Sequence, residues 1–281
     1  MKFNKNKNNT NPSLYGVHAV REAWLNDART VHALYITQST LRGFENVILE
    51  GTNKGLRRPH PTIVDKNKIS KMLPKGAVHQ GIALACSSLE EMDERDLAIR
   101  LHQKKRSVIA MLDQVTDPHN VGAILRSASA FGIDGVVIQK KHAPSLDGVL
   151  AKTACGAVDH IPVAKATNLK RALEELQAAG FVAAGLDERG ETVIGPLETM
   201  VQDIQPNFKK TTVKPLGVHH EEKNTQISQK VILVLGSEGA GIRHLVKETC
   251  DGLVKLPTQG SISSLNVSNA AAIAFYALMN R

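Results

Sequence analysis

The feature that most constrains the fold of this chain is a regular alternation of strand-like and helix-like segments that starts at Ser107. Short apolar runs of strand length occur at 107–112, 135–138, 160–163, 181–185, 231–235 and 253–256. Helical patterns fall between most of them, at 121–131, 145–155, 168–179, 242–249 and 264–279. Because parallel strands need crossover connections, and helices usually supply them, the alternation predicts an α/β domain with a mainly parallel sheet covered on both faces.

The first third of the chain predicts a second, smaller α/β module. Val17, Val20 and Trp24 form a helical stripe. Further strand and helix signals follow at 31–37, 62–64, 67–73 and 81–86, separated by turns that contain glycine and proline. We therefore predict a disordered tail at 1–12 and the small module at 13–88. A linker with some helix follows at 89–106, and the larger domain occupies 107–281.

Composition and cysteine usage exclude several classes of protein. Hydrophobic residues make up 42% and charged residues 22%, which is typical of a globular protein. No apolar run is long enough for a transmembrane helix, and the N-terminal residues lack the apolar stretch of a secretory signal. The three cysteines form no C-x-x-C pair, and the histidines show no H-E-x-x-H spacing. We therefore expect reduced thiols, a cytoplasmic location and no bound metal.

Positive charge is concentrated in the first third of the chain. The net charge is +8; residues 13–86 carry ten Lys or Arg against five Asp or Glu, whereas residues 87–281 carry 22 of each. Phosphate backbones attract such a surface through charge neutralisation and counterion release, although a basic surface without a partner fits the charge equally well. The candidate RNA-binding residues are Arg57, Arg58, Lys66 and Lys68.

The first of three polar segments that follow strands runs from Asp113 to Arg126. Ligand sites of parallel sheets form just past the carboxyl ends of strands. Asn120 is placed to cap the following helix, and Gly132 to end it. Arg126 lies six residues beyond Asn120 on a different helical face, so it is free to meet a ligand. The alternative is that Asn120 is only a cap and Arg126 only a surface cation.

The other two segments lie at 235–241 and 256–266. The first reads Leu-Gly-Ser-Glu-Gly-Ala-Gly, but its spacing matches neither the dinucleotide fingerprint nor a P-loop. Since Glu238 would repel phosphate, a neutral or cationic ligand approached by backbone fits better. The second opens the long terminal helix, where Ser264 and Asn266 can be ordinary caps.

Together, and in this order, these segments resemble the SPOUT-class, TrmH-type RNA ribose methyltransferases over residues 108–279. The matching motifs are D-P-H-N at 117–120 with Arg126, L-G-S-E-G at 235–239 and S-L-N at 264–266. The sequence L-Y-G-V-H-A-V at 14–20, with Q-G-I-A at 80–83, looks like the RlmB-type branch of that family.

The resemblance implies an α/β fold whose C-terminal methyltransferase domain contains a trefoil knot, preceded by a smaller RNA-binding domain similar to a ribosomal protein of the L30 type. It implies S-adenosylmethionine as cofactor, RNA as partner and a homodimer in which two subunits complete the active site. Cofactor contacts would fall on Gly236, Leu256 and Leu265. The family's catalytic roles would map to Asn120, Arg126, Glu238, Ser264 and Asn266.

Those residue types suit the chemistry that the resemblance implies. A ribose hydroxyl is a poor nucleophile, so the site must align it with the methyl donor and help to remove one proton. Because a guanidinium stays protonated in proteins, we expect Arg126 to hold an RNA phosphate and stabilise the developing alkoxide rather than act as a base. Ser264 and Asn266 would orient the ribose or relay the proton.

One departure from the family pattern is the interval 198–230, which is polar, contains two prolines and lacks periodicity. This predicts an inserted loop. It can be a surface elaboration, an RNA contact through Lys209, Lys210 and Lys214, or neither; we favour the first.

The branch resemblance favours a guanosine of large-subunit (23S) ribosomal RNA as the methylated nucleotide. Three alternatives stay open: the same chemistry on transfer RNA, the same chemistry at another ribosomal RNA site, and an RNA-binding assembly factor without catalysis. A nicotinamide-dependent oxidoreductase is disfavoured because the first strand is not followed by the glycine fingerprint.

Overall fold

The computed structural model describes residues 10–204, 229–261 and 264–280. The first part of the chain forms these elements: β1 (Leu14–Tyr15), α1 (Val17–Leu25), β2 (Val31–Ile36), α2 (Gln38–Asn53), β3 (Thr62–Ile63), α3 (Lys66–Met72) and β4 (Ile82–Cys86). The remainder forms these: α4 (Glu94–Leu101), β5 (Arg106–Asp113), α5 (Pro118–Ala130), β6 (Gly135–Gln139), α6 (Gly148–Thr153), a 3-10 turn (Ala157–Asp159), β7 (Val163–Ala166), α7 (Leu169–Ala178), β8 (Val182–Leu186), β9 (Thr192–Val193), α8 (Leu197–Ile204), β10 (Gln229–Gly236), α9 (His244–Thr249), β11 (Gly252–Lys255) and α10 (Val267–Met279).

The described chain divides into two compact units. The first contains residues up to 90 together with 117–126 and 144–160, and the second contains 91–116, 127–143 and the described residues from 161 onward. Two short segments of the region predicted as the larger domain thus belong to the first unit.

The first unit contains a four-stranded sheet in the order β1-β4-β2-β3. β4 pairs antiparallel with β1 and β2, while β2 and β3 are parallel. Against it, the Trp24 indole meets the Phe44 ring edge-on, with ring centroids 6.5 Å apart. A side chain at Gly51 would place its Cβ 2.8 Å from the Trp24 indole nitrogen, so glycine is what allows α2 to lie against this ring.

Helix α2 is an element that the sequence analysis missed. Its 16 residues begin after Thr37, whose hydroxyl accepts a hydrogen bond from the Thr40 amide (3.4 Å). Thr37 is therefore a helix cap and not the last residue of the predicted strand 31–37. Residues with weak helix propensity near the start of α2, among them Thr40 and Gly43, obscured its pattern.

Residues 144–160 contribute a buried ion pair to the first unit. Arg29 Nε lies 2.5 Å from Asp159 Oδ1, and the two side chains are 4% and 2% exposed. Burial lowers the pKa of Arg29, but the hydrogen bond and the charge of Asp159 outweigh it, so the pKa is raised. Asn26 also donates to Asp159 Oδ1 (2.9 Å), which satisfies the carboxylate further.

The second unit is built on a seven-stranded sheet in the order β7-β6-β5-β10-β8-β11-β9. All of its pairs are parallel, and β10 runs beside β5 from Gln229–Arg106 to Gly236–Asp113. Side chains of α4, α7 and α9 pack with the sheet in one apolar cluster. The predicted α/β domain with a mainly parallel sheet is confirmed.

Several predicted boundaries are wrong. Helix α4 lies in the predicted linker, yet Leu97 and Leu101 are buried in the core of the second unit. The strand predicted at 160–163 is β7 at Val163–Ala166, because residues 160–162 form an irregular turn after the 3-10 segment. The terminal helix begins at Val267 and not at Ser264.

The interval predicted as an inserted loop, 198–230, has regular secondary structure at both of its ends. Helix α8 extends to Ile204 and strand β10 starts at Gln229. Residues 205–228, with the three lysines considered for RNA contact, lie outside the described residues, as do residues 1–9 of the predicted tail. Within the part that the structure covers, none of the helices is both long and apolar enough to cross a membrane.

Candidate functional site

Helix α5 carries two of the predicted site residues, Asn120 and Arg126. The helix begins at Pro118, and Asp117 Oδ1 accepts from the His119 amide (3.1 Å). Proline is favoured at the first helical position because its missing N–H leaves nothing unsatisfied there. Asn120 is therefore inside the first turn, and the prediction that it caps the helix is wrong; Asp117 occupies that place.

Arg126 lies further along α5 and is exposed. Among the described residues it has no hydrogen-bond or ion-pair partner. Its guanidinium is thus available to a ligand, as the sequence analysis expected. Both α5 residues belong to the first compact unit.

A cavity of about 1010 Å³ lies in the second unit at the carboxyl ends of β8, β10 and β11. Five of the predicted residues line it: Gly236, Glu238, Leu256, Ser264 and Leu265. Asn120 and Arg126 are not among the residues that line it. Ligands of parallel α/β sheets bind at the carboxyl edge of the sheet. The loops after β8, β10 and β11 meet there because these parallel strands all end at that edge.

The loop after β10 is held tightly against itself. The Ser237 amide donates to the Gly241 carbonyl (3.2 Å), and the Gly241 amide donates back to the Ser237 carbonyl (2.9 Å). A Cβ on Gly236 would lie 2.1 Å from the Gly241 carbonyl carbon. Only glycine therefore fits at position 236, and its backbone faces the cavity without a side chain over it.

Glu238 and Asn266 come together at this cavity. Asn266 Nδ2 donates to Glu238 Oε1 at 2.6 Å. Asn266 is also the N-cap of α10, where its Oδ1 accepts from the amides of Ser268 (2.9 Å) and Asn269 (3.4 Å). The helix end thus orients the amide so that its nitrogen points to the carboxylate.

A buried contact that no sequence pattern indicated anchors this loop. Asp113 is fully buried at the end of β5. Its carboxylate accepts from the backbone amide of Arg243 (2.8 Å) and from Arg243 Nε (2.7 Å). Since Arg243 follows the loop at 237–242, the contact fixes where that loop ends. No local pattern could have identified it, because the two residues are 130 positions apart.

A second missed contact lies on the cavity wall. Lys247 Nζ donates to Asp187 Oδ2 (2.6 Å), and the Arg189 amide donates to Asp187 Oδ1 (2.9 Å). Burial alone would raise the pKa of Asp187, but these hydrogen bonds and the charge of Lys247 outweigh it and lower the pKa. The carboxylate is therefore ionised at neutral pH.

The four candidate RNA-binding residues differ in their surroundings. Arg57, Lys66 and Lys68 are exposed. Arg58 is half-buried and donates to the carbonyls of Trp24 (2.6 Å) and Asn26 (2.6 Å), among others. Its donors hold the turn after α1, which leaves the other three as the better candidates.

Within the described ranges, no group of three or more His, Cys, Asp or Glu residues is arranged to hold a metal ion. Among the polar groups that line the cavity are the carboxylate of Glu238, the Asp187–Lys247 pair and the Ser264 hydroxyl.

Comparison with known proteins identifies the class. Residues 107–276 match the family model described as the SpoU rRNA Methylase family. Residues 13–92 match the model described as RNA 2'-O ribose methyltransferase substrate binding. The chain belongs to the SpoU rRNA Methylase family.

Individual relatives cover nearly the whole chain. It is 32% identical over 269 residues to the 23S rRNA (guanosine-2'-O-)-methyltransferase RlmB of Haemophilus ducreyi, which covers 95% of this chain and 97% of that relative. It is 33% identical over 275 residues to the protein of the same name from Pasteurella multocida, covering 96% and 98%. The resemblance drawn from the motifs is confirmed.

A solved structure shows the same fold. The SpoU methyltransferase AviRb from Streptomyces viridochromogenes, in complex with the cofactor AdoMet, superposes with a TM-score of 0.66 at 22% identity. The match covers 95% of this chain and 88% of that one.

Proposed function

We propose that this chain transfers a methyl group from S-adenosylmethionine to the ribose 2′-hydroxyl of a guanosine in 23S ribosomal RNA. The observation that carries the proposal is the full-length similarity to two methyltransferases named for that reaction, at 32% and 33% identity. The motif residues of the family are present, and five of the predicted site residues line one cavity.

The residues around the larger cavity fit the proposed cofactor. Pockets for small molecules typically measure roughly 300–1,000 Å³, and this one measures about 1010 Å³. Gly236 and the loop that follows it form part of the cavity wall, and no side chain at position 236 covers the backbone there. We propose that Gly236, Leu256 and Leu265 hold the cofactor, largely through backbone.

When bound, S-adenosylmethionine supplies an electrophilic methyl group on a sulfonium. The protein must place the ribose hydroxyl in line with it and remove one proton. We propose that the Glu238–Asn266 pair and the Ser264 hydroxyl orient the ribose, with Ser264 or Asn266 relaying the proton. Asn120, in the first turn of α5, is proposed to order the loop that precedes this helix.

Arg126 is proposed to hold an RNA phosphate and to stabilise the charge that develops on the 2′-oxygen. Its exposure and lack of a partner in the described chain support this role. A guanidinium presents two parallel N–H donors to an anion, which an ammonium cannot do. We expect Arg126→Lys to lose most activity. Turnover close to that of the wild type would show that the two parallel N–H donors of the guanidinium are not required.

Further proposals about fold, RNA binding and oligomeric state follow from membership of the family. We propose that the parallel domain contains a trefoil knot, that the small domain resembles the L30 type and binds RNA through Arg57, Lys66 and Lys68, and that the protein acts as a cytoplasmic homodimer. The domain limits proposed are 13–88 for RNA binding and 107–281 for methyl transfer. Apolar side chains exposed on α10, Ile273 (47%) and Tyr276 (57%), support self-association.

The test is transfer of labelled methyl from S-adenosylmethionine to unmodified 23S ribosomal RNA, with transfer RNA in parallel, followed by nucleoside analysis. We expect label in 2′-O-methylguanosine from ribosomal RNA alone, and a loss on the order of 10²-fold or more in Arg126→Ala. Label in transfer RNA alone would favour the alternative of the same chemistry on transfer RNA. Cofactor binding without transfer to either RNA would favour a non-catalytic assembly factor.

A further inference from the structure

A second cavity lies in the second unit, at the carboxyl ends of β5 and β6. It measures about 430 Å³ and is lined by Gln114, Thr116, Gln139, Lys141, His142 and Arg243. The proposed mechanism uses none of these residues. We call this cavity the β5–β6 pocket.

The lining of the β5–β6 pocket has the chemistry of an anion site. Three of its side chains carry basic nitrogen, the other three are neutral and polar, and none of the described lining residues is acidic. Arg243 is held in place by Asp113 (Nε to Oδ1, 2.7 Å) and by Gln139 (Nη2 to Oε1, 3.3 Å), yet its side chain stays 38% exposed. A cation fixed before the ligand arrives loses little entropy on binding.

Lys141 provides the uncompensated charge of the β5–β6 pocket. It is exposed and forms no ion pair with any residue that the structure describes. The neighbouring Lys140 differs, since its Nζ lies 3.7 Å from Glu91 Oε2 and it does not line the pocket. Asp113 offsets the charge of Arg243, so Lys141 gives the pocket a net positive charge.

The backbone at both ends of the β5–β6 pocket is strained. Gln114, directly after β5, has φ 59°, and His142, three residues after β6, has φ 66°. Side chains other than glycine rarely adopt this left-handed conformation, which tends to persist where function requires it. Here it turns both chain segments at the edge of the pocket.

We propose that the β5–β6 pocket binds a backbone phosphate of the RNA substrate next to the methylated nucleotide. The inference rests on the proposed function for the identity of the anion. Arginine and lysine with neutral hydrogen-bond donors are the usual partners of nucleic-acid phosphates, and such contacts set the register of the strand. The pocket opens at the same sheet edge as the larger cavity, and Arg243 directly follows the loop that lines that cavity.

The test compares Lys141→Gln with Lys140→Gln, two adjacent exposed lysines that lose the same charge. Three quantities are measured in full-length protein: the KM for RNA in methyl transfer, the Kd for a fluorescently labelled RNA without cofactor across a salt series, and the Kd for S-adenosylmethionine. His142→Asn is a second variant, because asparagine tolerates positive φ while removing the imidazole. Arg243 is avoided, since its loss would leave the buried Asp113 carboxylate without its counter-charge.

We expect Lys141→Gln to raise the RNA KM and Kd roughly tenfold, as loss of a charge-assisted hydrogen bond does. The slope of log K against log salt should fall by about 0.7, the value for one phosphate contact on a single strand. His142→Asn should weaken RNA binding in the same direction. Lys140→Gln should match the wild type, and cofactor affinity should not change in any variant.

Equal RNA affinity and salt slope in the two lysine variants would overturn the proposal while leaving the methyltransferase function standing. Weaker cofactor binding in Lys141→Gln, with RNA binding intact, would overturn it in favour of the cofactor carboxylate as the anion. Selective loss of RNA binding in Lys141→Gln, in a protein that methylates no RNA, would support the phosphate contact and reject the proposed function.

Discussion

Single residues decide whether the loop after β10 can line a ligand cavity. Gly236 has space for a hydrogen only, because the Gly241 carbonyl carbon occupies the position of a Cβ. Asn266 uses one end of its amide to cap α10 and the other to contact Glu238. The sequence shows that glycine and asparagine occupy these positions, but only the tertiary contacts explain why these residue types are needed there.

Gly236→Ala is expected to push the 237–242 loop away from β10. Overpacking of this kind typically costs about 1–3 kcal/mol of unfolding free energy, and the displaced loop should weaken S-adenosylmethionine binding. Thermal unfolding and calorimetric titration measure the two effects. The matched control is Gly195→Ala, because a Cβ at Gly195 meets nothing within 4 Å. Wild-type cofactor affinity in Gly236→Ala would contradict the close approach.

Substitutions at Asn266 should separate its two roles. Asn266→Ala loses the cap and should cost about 1 kcal/mol of stability. Asn266→Asp keeps an oxygen for the helix amides but faces Glu238 with a second carboxylate, so we expect near-normal stability and strongly reduced methyl transfer. Denaturant unfolding and turnover are measured side by side. Equal activity of Asn266→Asp and wild type would show that the contact with Glu238 is not used.

At the scale of elements, ion pairs connect segments that are far apart in sequence. The Arg29–Asp159 pair joins the segment before β2 to the 3-10 turn, and the Lys247–Asp187 pair joins α9 to the end of β8. The two pairs differ in burial, so substitution of their residues should lower stability by different amounts.

The close packing of α5 on α6 in the first unit depends on Gly122. A Cβ at this position would lie 2.8 Å from the Leu150 carbonyl oxygen.

Removal of one partner of the Arg29–Asp159 pair should destabilise the protein strongly. Asp159→Ala leaves a buried guanidinium without its counter-charge, and such changes typically cost about 3–5 kcal/mol. Chemical denaturation monitored by Trp24 fluorescence measures the loss. Glu174→Gln is the control, because its pair with Lys170 is exposed and surface pairs contribute about 0–1 kcal/mol. Similar losses in both variants would show that burial of the Arg29 pair is unimportant.

The Asp187–Lys247 pair predicts a pH dependence of stability. Because the pKa of Asp187 is lowered in the folded protein, its stabilisation is fully present above the unfolded pKa of about 3.9 and is lost as pH falls through the folded pKa. Asp187→Asn should therefore be less stable than wild type at pH 7, and the difference should shrink as the pH falls below about 4. Urea midpoints across that range provide the measurement. Asp203→Asn, which removes an exposed carboxylate of α8, is the control substitution.

At the scale of the whole molecule, charge and exposed apolar surface indicate what the chain associates with. The excess of positive charge lies in the first third of the sequence, where Arg57, Lys66 and Lys68 are exposed. Ile273 and Tyr276 lie three residues apart on α10 and therefore share a helical face. The first feature supports RNA binding and the second supports a homodimer.

Ile273→Lys tests the proposed homodimer. A charge on an apolar interface would remain buried and unpaired, so we expect the variant to shift from twice the chain mass towards one chain mass. Light scattering after size-exclusion chromatography measures the mass. Ile99→Lys is the control, since Ile99 is 75% exposed on α4 in a different part of the fold. A wild-type protein that is monomeric at micromolar concentration would reject the homodimer.

The sequence by itself predicted the parallel α/β domain, most of its strands and the cavity loops, because periodicity, glycine stops and short motifs are local properties. It could not predict that 144–160 belongs to the first unit, that α4 is core, or that Asp117 and not Asn120 caps α5. The Asp113–Arg243 and Arg29–Asp159 contacts each join residues 130 positions apart. Only the order of strands and the packing of the chain bring such residues together, so the tertiary structure alone decided these contacts and the β5–β6 pocket.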